Sequence, residues 1–338
     1  MNRPLWCLLF AALSGVAIGQ QTPSQSLLAL SRQDHTLAIV DPSDLHVVTR
    51  IPVGDDPHEV TASADGKTAY VSNYGFGAFH TLTVVDLVGQ RSLGVIDLGA
   101  LRGPHGLAFA AGKVWFTAEA AKAIGSYDPS TRSIDWIMGT GQNRTHMLNV
   151  FPDGKEILTT NVNSGTVSII EKSEGHAGAL PNSLAPPPHG EDWVLTVVPV
   201  GRGSEGFDLS PDGKEAWVAN AGDGTISIVD IAEKRVTATL PVNAPGANRL
   251  KFTPDGRRVL VSAGPYLVVL DAATRKEIKR LSVGRGLGGI QIQPDGARAY
   301  VASGLDGFVA VIDLNAFEVI ARIDAGNGPD GLAWAVRQ

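Results

Sequence analysis

An all-β fold, a seven-bladed β-propeller, is predicted by three features of the sequence. Six segments repeat a strand–turn–strand pattern, and a seventh copy at 329–336 contains a single strand. Equivalent positions in the seven copies follow one another at steps of 47, 41, 59, 43, 40 and 42 residues. No segment of useful length after residue 19 has the 3.6-residue period of a helix. Short strands at a period near 40–45 residues are typical of four-stranded propeller blades.

Composition excludes several other classes of protein. The chain has 338 residues, of which 43% are hydrophobic and 18% charged, so it can bury a large core and is too apolar to be disordered. A single Cys excludes a disulfide framework, a Cys-rich zinc site and an iron–sulfur cluster. Lys and Arg number 28 against 34 Asp and Glu, a net charge of −6, so we do not expect nucleic acid as a partner.

The first 19 residues have the layout of a secretory signal peptide. A basic start at Asn2-Arg3 precedes the apolar run 5–18, and small residues lead to a cleavage point near Gly19. An uncleaved anchor is the alternative, although the run of 14 is short for a membrane span. We therefore expect an exported protein, periplasmic or secreted, without a transmembrane segment after cleavage. Residues 20–338 are predicted to form a single propeller domain.

Each repeat can be divided into four strands. The fourth copy is the clearest, with strands at 206–210, 216–220, 225–231 and 236–242 separated by Gly-containing turns. Residues 26–53 contain the second, third and fourth strands of a further blade but no first strand. The C-terminal segment 330–336 supplies that strand, so the last blade joins the N- and C-terminal strands and leaves no open sheet edge.

The repeat motifs resemble those of a known family. The run Gly54…Pro57-His58…Ser63-Ala64-Asp65-Gly66…Tyr70-Val71-Ser72-Asn73 resembles the YVTN-repeat (YncE-like) family of bacterial seven-bladed β-propellers. The segments 217–220 and 300–303 fit the same pattern, and the resemblance covers about residues 26–338. It implies the fold. Members look like binding proteins, surface proteins and enzyme-associated subunits, and relatives of the same architecture include lactonases, cyclases and lyases, so function stays open.

Seven aligned positions are expected to surround one mouth of the central channel, because strand one begins where strand two ends. These ring positions are His58, His105, His146, Glu205, Asn248, Gly288 and Asp330. Channel mouths are natural binding clefts, and Gly288 leaves one sector unfilled for a ligand. The alternative is a solvated funnel in which each His caps a loop by bonding to backbone.

The side chains of this ring suit metal binding or acid–base chemistry. Imidazole and carboxylate favour a divalent ion such as Zn, Mn, Fe or Ni, while carboxylate and amide favour Mg or Ca. The expected ligands of a divalent ion in the channel are His58, His105, His146 and Glu205. The same groups could instead act as general acid and base without a metal.

Two arginines and an aromatic loop extend the candidate site. Arg144 and Arg249 flank ring positions and could hold a carboxylate or phosphate, unless Arg249 points outward into solvent. His146, Glu205 and Arg249 resemble the His, Glu and Arg set of propeller lactonases and carboxymuconate cyclases, which implies a catalytic role for them. Tyr74 and Phe76, in the loop 74–80, could stack on a sugar, a base or a flat cofactor. In the alternative, Phe76 and Phe79 cover the edge of the first blade.

One insertion lies away from this site. Residues 171–193 lengthen the third step and separate strands three and four, so they are predicted on the opposite face. His176 and His189 therefore should not join the channel, and the segment is either a surface loop or a partner-binding loop. The GxGxxG match at 284–289 is followed by a strand instead of a helix, which excludes a dinucleotide site.

Three functions are compatible with these patterns. The leading hypothesis is an exported binding or scaffold propeller with a ligand or metal pocket at the His-lined channel mouth. The alternative is a lactonase, cyclase or lyase acting there on a small carboxylated or sugar-derived substrate. A third is an interaction module for an exported redox or surface complex. The ligand, either a small molecule or a protein, and the oligomeric state are left open.

Overall fold

The computed structural model describes residues 20–174, 191–243 and 246–338. In this part of the chain, 28 strands form seven antiparallel sheets of four strands each. Besides strands, these residues contain one short 3₁₀ turn at Gly75–Gly77. The prediction of an all-β, seven-bladed propeller is thereby confirmed.

Two predicted segments fall outside the described residues. They are the signal peptide at 1–19 and most of the insertion, 175–190, which includes His176 and His189. The ends of the insertion extend strands three and four of their blade, so the connection leaves from the face opposite the ring, as predicted. Among the described residues, no helix is long and apolar enough to cross a membrane.

Strands are numbered along the chain, and each blade is given from the channel outward. Blade 1 contains β4 (Pro57–Ala62), β5 (Thr68–Asn73), β6 (Thr81–Asp86) and β7 (Arg91–Asp97). Blade 2 contains β8 (Pro104–Ala110), β9 (Lys113–Ala118), β10 (Ala123–Asp128) and β11 (Ser133–Gly139). Blade 3 contains β12 (Thr145–Val150), β13 (Glu156–Asn161), β14 (Thr166–Glu174) and β15 (Glu191–Pro199).

The remaining four blades complete the ring. Blade 4 contains β16 (Ser204–Leu209), β17 (Glu215–Asn220), β18 (Thr225–Asp230) and β19 (Arg235–Pro241). Blade 5 contains β20 (Ala247–Phe252), β21 (Arg258–Ala263), β22 (Tyr266–Asp271) and β23 (Lys276–Ser282). Blade 6 contains β24 (Leu287–Ile292), β25 (Arg298–Ser303), β26 (Phe308–Asp313) and β27 (Glu318–Ile323). Blade 7 contains β28 (Pro329–Val336), β1 (Gln25–Ser31), β2 (Thr36–Val40) and β3 (Val47–Pro52).

The hydrophobic core lies between the blades and leaves the channel polar. Seven clusters of buried side chains occupy the seven interfaces between neighbouring blades. In one of them, Trp217 and Ile228 of blade 4 pack with Leu250 and Val261 of blade 5. Strands two and three are apolar on both faces because each sheet is covered on both sides.

The asparagine that ends the YVTN-like motif has a structural role. In blades 1, 3 and 4 its side-chain amide donates to a hydroxyl of strand three, at 3.0, 3.0 and 2.9 Å. The donors are Asn73, Asn161 and Asn220, and all three are buried. These bonds tie strand two to strand three beside the channel, so the motif supports the fold and does not form the pocket.

Blade 7 closes the ring as predicted. Strand β28 pairs with β1 over the register Gln25–Ala29 against Leu332–Val336. Beyond the strand, the Arg337 amide donates to the Ser24 carbonyl at 2.7 Å. The innermost strand of this blade therefore comes from the opposite end of the chain to the other three.

Candidate functional site

Every ring residue lies on a β-bulge at the start of strand one. In each blade the register shifts so that two residues of strand one oppose one residue of strand two. The pairs are His58–Glu59, His105–Gly106, His146–Met147, Glu205–Gly206, Asn248–Arg249, Gly288–Gly289 and Asp330–Gly331. A bulge re-aims side chains, which is why bulges are frequent beside active sites.

Hydroxyl groups of strand two hold three of these bulges in place. Thr117 accepts the Gly106 amide at 2.9 Å and donates to the His146 carbonyl of the next blade at 2.7 Å. Ser72 and Thr160 make equivalent pairs of contacts in blades 1 and 3. The backbone of each imidazole-bearing or carboxylate-bearing position is thus fixed to the neighbouring blade.

The seven ring residues all line one cavity of about 560 Å³ at the channel mouth. Tyr74, Phe76 and Arg144, which the sequence placed at this site, line it too. Arg249 also lies there, with its side chain only 12% exposed, so the alternative that it points outward is wrong. Side chains from all seven blades therefore converge on one space.

A second feature of the cavity is where its charged residues sit in the repeat. The position two residues before each ring residue has a positive φ in every blade. Five blades have glycine there: Gly103, Gly203, Gly246, Gly286 and Gly328. Blades 1 and 3 instead have Asp56, with φ of 48°, and Arg144, with φ of 58°. A charged residue in this conformation costs about 1 kcal/mol or more compared with glycine.

His146 lies in the middle of a chain of polar contacts. Its Nδ1 contacts Glu119 Oε1, and the Tyr74 hydroxyl donates to the other oxygen of Glu119. Its Nε2 lies 2.8 Å from Glu205 Oε2. Burial alone would raise the pKa of Glu205, but His146 and the guanidiniums of Arg249 and Arg144 lower it to about 2. Glu205 is therefore ionised at any physiological pH.

His105 differs from His58 and His146, which both contact carboxylates. It is 2% exposed, and its ring centroid lies 3.8 Å from that of His146 and 4.8 Å from that of His58. Its Nδ1 is buried and has no hydrogen-bond partner. Burial, together with the charges of His146 and His58, lowers the pKa of His105 well below its ordinary value. The imidazole is therefore neutral at pH 7 and has a nitrogen without a partner.

His58, in blade 1 next to His105, lies among two carboxylates and an arginine. Its Nδ1 lies 3.3 Å from Asp330 Oδ2, and its Nε2 lies 3.5 Å from Asp56 Oδ1. Burial would lower the pKa of His58, but these two carboxylates raise it above the ordinary value. Arg32 donates to Asp56 at 2.8 Å and lies 3.6 Å from Asp330. The imidazoles of His58 and His146 thus contact carboxylates, whereas loop capping would place them on backbone groups.

An ion pair spans the channel beneath the cavity. Arg249 of blade 5 donates to Glu59 of blade 1 at 2.9 Å, and both side chains are 12% exposed. Arg249 also lies 3.7 Å from Glu205 and bonds to Asn248 Oδ1. It lines a second cavity of about 340 Å³ further along the channel. The Arg249–Glu59 pair therefore marks the boundary between the two spaces.

Two expectations need adjustment in detail. Phe76 is 82% exposed at the cavity rim, and its ring lies 5.8 Å from the Arg32 guanidinium carbon, so it does not cover the edge of blade 1. The sector beside Gly288 is partly filled, because a Cβ there would lie 2.7 Å from Asp330 Oδ1. Gly286, Gly304 and Leu305 also line the cavity.

The donors that cluster most tightly are not the four expected metal ligands. His105, Glu119 and His146 each offer one donor atom, and these atoms lie within 4.8 Å of one another. In the described part of the chain, one other such group exists, at Asp41, Asp44 and His46 on the surface. His58 and Glu205 lie outside the buried triplet, engaged with Asp330 and with Arg144 and His146 respectively.

The sequence interpretation missed four charged residues of the site: Arg32, Asp56, Glu59 and Glu119. A repeat alignment contains the signal for them. Glu119 and Arg32 occupy the position directly after strand two, which Tyr74 holds in blade 1. Asp56 and Arg144 occupy the same repeat position, two residues before the ring residue, where the other blades have glycine. Glu59 and Arg249 both occupy the second residue of the bulge.

Comparison with known proteins supports the architecture. No family model and no curated protein matches this chain. It is similar in structure to a protein of unknown function from Desulfotomaculum acetoxidans, with a TM-score of 0.75 and 13% identity over 93% of this chain and 99% of that chain. Hydrazine synthase from Kuenenia stuttgartiensis gives a TM-score of 0.70 and 17% identity, over 91% of this chain and 100% of that one.

A third solved structure belongs to a candidate 6-phosphogluconolactonase from Bacteroides fragilis. It gives a TM-score of 0.70 and 16% identity, over 94% of this chain and 99% of that chain. At such identities a structural likeness shows the fold alone. The chain is a seven-bladed β-propeller, and its resemblance to the YVTN family rests on the sequence motifs.

Proposed function

We propose that the protein is a binding propeller that takes a small polar molecule with an anionic group into the cavity at the channel mouth. The observation that carries this proposal is the use of Asp56 and Arg144 where five other blades have glycine. Backbone strain of this kind persists where the side chain is needed, and it concentrates at ligand sites. Both of these side chains lie against the cavity.

The chemistry of the lining favours an anionic group near Arg144. The Arg144 side chain is 34% exposed, and its contacts with Glu119 and Glu205 are both 3.4 Å long. Since a guanidinium has five donors, it retains donors for a ligand carboxylate or phosphate. Arg32, 30% exposed, provides a second cation across the cavity. Two separated guanidiniums suit a ligand with polar groups at both ends.

The cavity also suits a ligand of limited size with an apolar or ring-shaped part. Its volume of about 560 Å³ lies within the range of small-molecule pockets. At the rim, Phe76 is 82% exposed and Leu305 is 72% exposed. An exposed aromatic ring beside polar groups can stack on a sugar ring or a flat ring. Sugar acids and aromatic carboxylates therefore fit the pocket best.

Binding can be tested by screening small carboxylates, sugar acids and phosphates by thermal shift, followed by calorimetric titration. The decisive variant is Arg144→Gly, which inserts the residue that five other blades have. We expect roughly 10- to 100-fold weaker binding, as lost charge-assisted hydrogen bonds imply. Stability should change little, because relief of the positive-φ strain opposes the lost contacts with Glu119 and Glu205.

Arg202→Gln is the matched control for this variant. Arg202 lies on the same face, is 84% exposed and pairs with Asp223 outside the cavity. Its substitution should leave affinity unchanged. Absence of any ligand in the screen, or equal loss of affinity in both variants, would contradict a binding site at the channel mouth.

A second candidate function is that of a lactonase, cyclase or lyase, and it is favoured by His105. Its unpartnered nitrogen could accept a proton from a water bound in the cavity, which His105 lines. His146, Glu205 and Arg249, the set implied by the resemblance to propeller lactonases, are contiguous at 2.8 and 3.7 Å. The similar Bacteroides fragilis structure is of a candidate 6-phosphogluconolactonase, which adds a reason to assay lactones.

For lactone hydrolysis the step balances without a cofactor. His105 would take a proton from water while the water oxygen attacks the lactone carbonyl carbon. The ring C–O bond then breaks, and the leaving alkoxide takes the proton from the imidazolium. Arg144 would hold the anionic group of the substrate. If purified protein opens no lactone faster than buffer, or if His105→Gln retains full activity, this second function is wrong.

Export completes the proposed role and is predicted from residues 1–19 alone. N-terminal sequencing of protein recovered from outside the cytoplasm should begin near Gln20. Recovery of the uncut chain in the cytoplasm would contradict it.

A further inference from the structure

We propose that His105, Glu119 and His146 bind one divalent transition-metal ion in the wall of the cavity, with a coordination position open to the ligand. This inference deepens the proposed function, since the ion would face the same pocket and could contact the bound molecule. It differs from the metal set expected from the sequence in using Glu119 in place of His58 and Glu205.

The geometry of the three donors carries the proposal. One donor atom from each side chain lies within 4.8 Å of the other two, and all three residues are buried. His105 and His146 are the second residues of the neighbouring inner strands β8 and β12, and Glu119 follows β9 directly. Donors about 2.0–2.2 Å from one metal lie up to about 4.4 Å apart, a separation close to the 4.8 Å within which these donor atoms lie. The backbones that carry the two imidazoles are fixed by the strand-two hydroxyls Ser72 and Thr117.

An independent observation at His105 points to a missing partner. His105 is only 2% exposed, yet its Nδ1 makes no hydrogen bond. A buried polar atom without a partner costs about 1–3 kcal/mol, so such atoms are uncommon in folded proteins. A metal ion between the two closely packed imidazoles gives this nitrogen an interaction that no protein group provides.

The groups behind the donors are those that orient metal ligands. The Tyr74 hydroxyl donates to Glu119 Oε2, which leaves Oε1 toward His146. On the far side of the His146 ring, Glu205 Oε2 lies 2.8 Å from Nε2. A carboxylate on the second nitrogen of a ligating histidine fixes its orientation and raises its basicity. The metal would take the place of the proton between His146 Nδ1 and Glu119.

The donor set indicates the class of metal. Two imidazoles and one carboxylate suit Zn²⁺, Co²⁺, Mn²⁺, Fe²⁺ or Ni²⁺ better than Ca²⁺ or Mg²⁺, which prefer all-oxygen surroundings. Three protein ligands also leave a position for water or a ligand oxygen. His105 and His146 line the 560 Å³ cavity, so that position would face the cavity.

The test uses untagged full-length protein, stripped with chelator and titrated with ZnCl₂ or CoCl₂ by calorimetry, elemental analysis and visible absorption. We expect one equivalent of metal and cobalt absorption bands of nitrogen and oxygen ligation. His105→Asn and Glu119→Gln should each abolish the bands and most of the affinity. Glu205→Gln should weaken binding by only roughly 10- to 100-fold, as expected for a partner of a ligand.

His46→Ala is the matched control, because Asp41, Asp44 and His46 form the other candidate group in the described residues. Circular dichroism and melting curves establish that each variant is folded. Failure of wild-type protein to take up either metal at millimolar concentration overturns the proposal, as does loss of metal in His46→Ala but not in His105→Asn. Anion binding by the metal-free protein that still depends on Arg144 would then leave the proposed function standing.

Discussion

At the scale of single residues, the pocket depends on a few charges placed where the repeat does not require them. Asp56 and Arg144 replace glycine at positive φ, and Glu119 directly follows strand two, where four of the seven blades have a small or apolar residue. These exceptions occur in blades 1 to 3, and all three side chains contact other charged or polar groups of the site. The departures from the repeat locate the site more sharply than the repeat itself.

The Arg249–Glu59 pair should be important for stability. Both groups are almost fully buried, so Glu59→Gln leaves a desolvated guanidinium short of a partner. We expect a loss of about 3 kcal/mol in unfolding free energy, measured by urea denaturation. The double variant Glu59→Gln/Arg249→Met should lose less unfolding free energy than the two single variants lose together. We expect the difference to exceed about 1 kcal/mol.

Arg285→Gln provides the comparison for that cycle. Arg285 pairs with Asp306 on the surface and is 73% exposed, so its loss should cost less than about 1 kcal/mol. Equal effects of the buried and the exposed substitutions would show that the channel pair does not contribute through burial.

The pH dependence of stability should include a contribution from Asp56. Burial would raise the pKa of this carboxyl, but His58 and Arg32 lower it well below its ordinary value. A lowered pKa in the folded state stabilises the protein above the unfolded value, near pH 4, and this stabilisation is lost as the pH falls through the folded value. The difference in unfolding free energy between wild type and Asp56→Asn should therefore be largest at pH 6 and shrink toward pH 2. A difference independent of pH would exclude this electrostatic cause.

At the scale of elements, the bulge at the start of strand one positions the ring. Thr117 connects a bulge amide of its own blade to the His146 carbonyl of the next. Thr117→Val keeps the shape but leaves two buried backbone groups without this partner, which should lower the unfolding free energy by about 1–3 kcal/mol. The effect is measured by urea denaturation, and ligand or metal affinity should fall with it.

Thr237→Val is a suitable control for that substitution. Its hydroxyl lies on the outer strand β19 and makes a longer bond of 3.3 Å to Ile228. A similar loss of stability in both variants would indicate a general cost of losing a threonine hydroxyl and would contradict a special role for the bulge.

Most of the architecture and half of the site could be predicted from sequence because the repeat keeps one register. Once His58 and Asp330 are aligned, equivalent backbone positions in a ring must face the same channel. Contacts between different repeat positions could not be predicted in this way. Glu119 meets His146 because consecutive blades are rotated about the channel axis, and Arg249 meets Glu59 because blades 5 and 1 face each other across it.

At the scale of the whole molecule, stability depends on closing the ring between β28 and β1. Deleting residues 329–338 removes the innermost strand of blade 7 and exposes the edge of β1. We expect loss of the single cooperative melting transition and concentration-dependent aggregation, followed by calorimetry and light scattering. Deleting only 337–338 is the control, and a cooperative, monodisperse product from the longer deletion would contradict the importance of closure.

The closure of blade 7 also determines when, during folding, the pocket becomes able to bind a ligand. The Ser31 hydroxyl bonds to the Asn327 carbonyl 296 residues away, so this seam is among the least local contacts and among the slowest to form. Because Asp330 arrives with the same strand, a ligand held on all sides can bind only to the closed ring. Because such a ligand binds only the closed ring, it stabilises the pairing of β28 with β1 by mass action. Adding the ligand should therefore slow amide hydrogen exchange in β28.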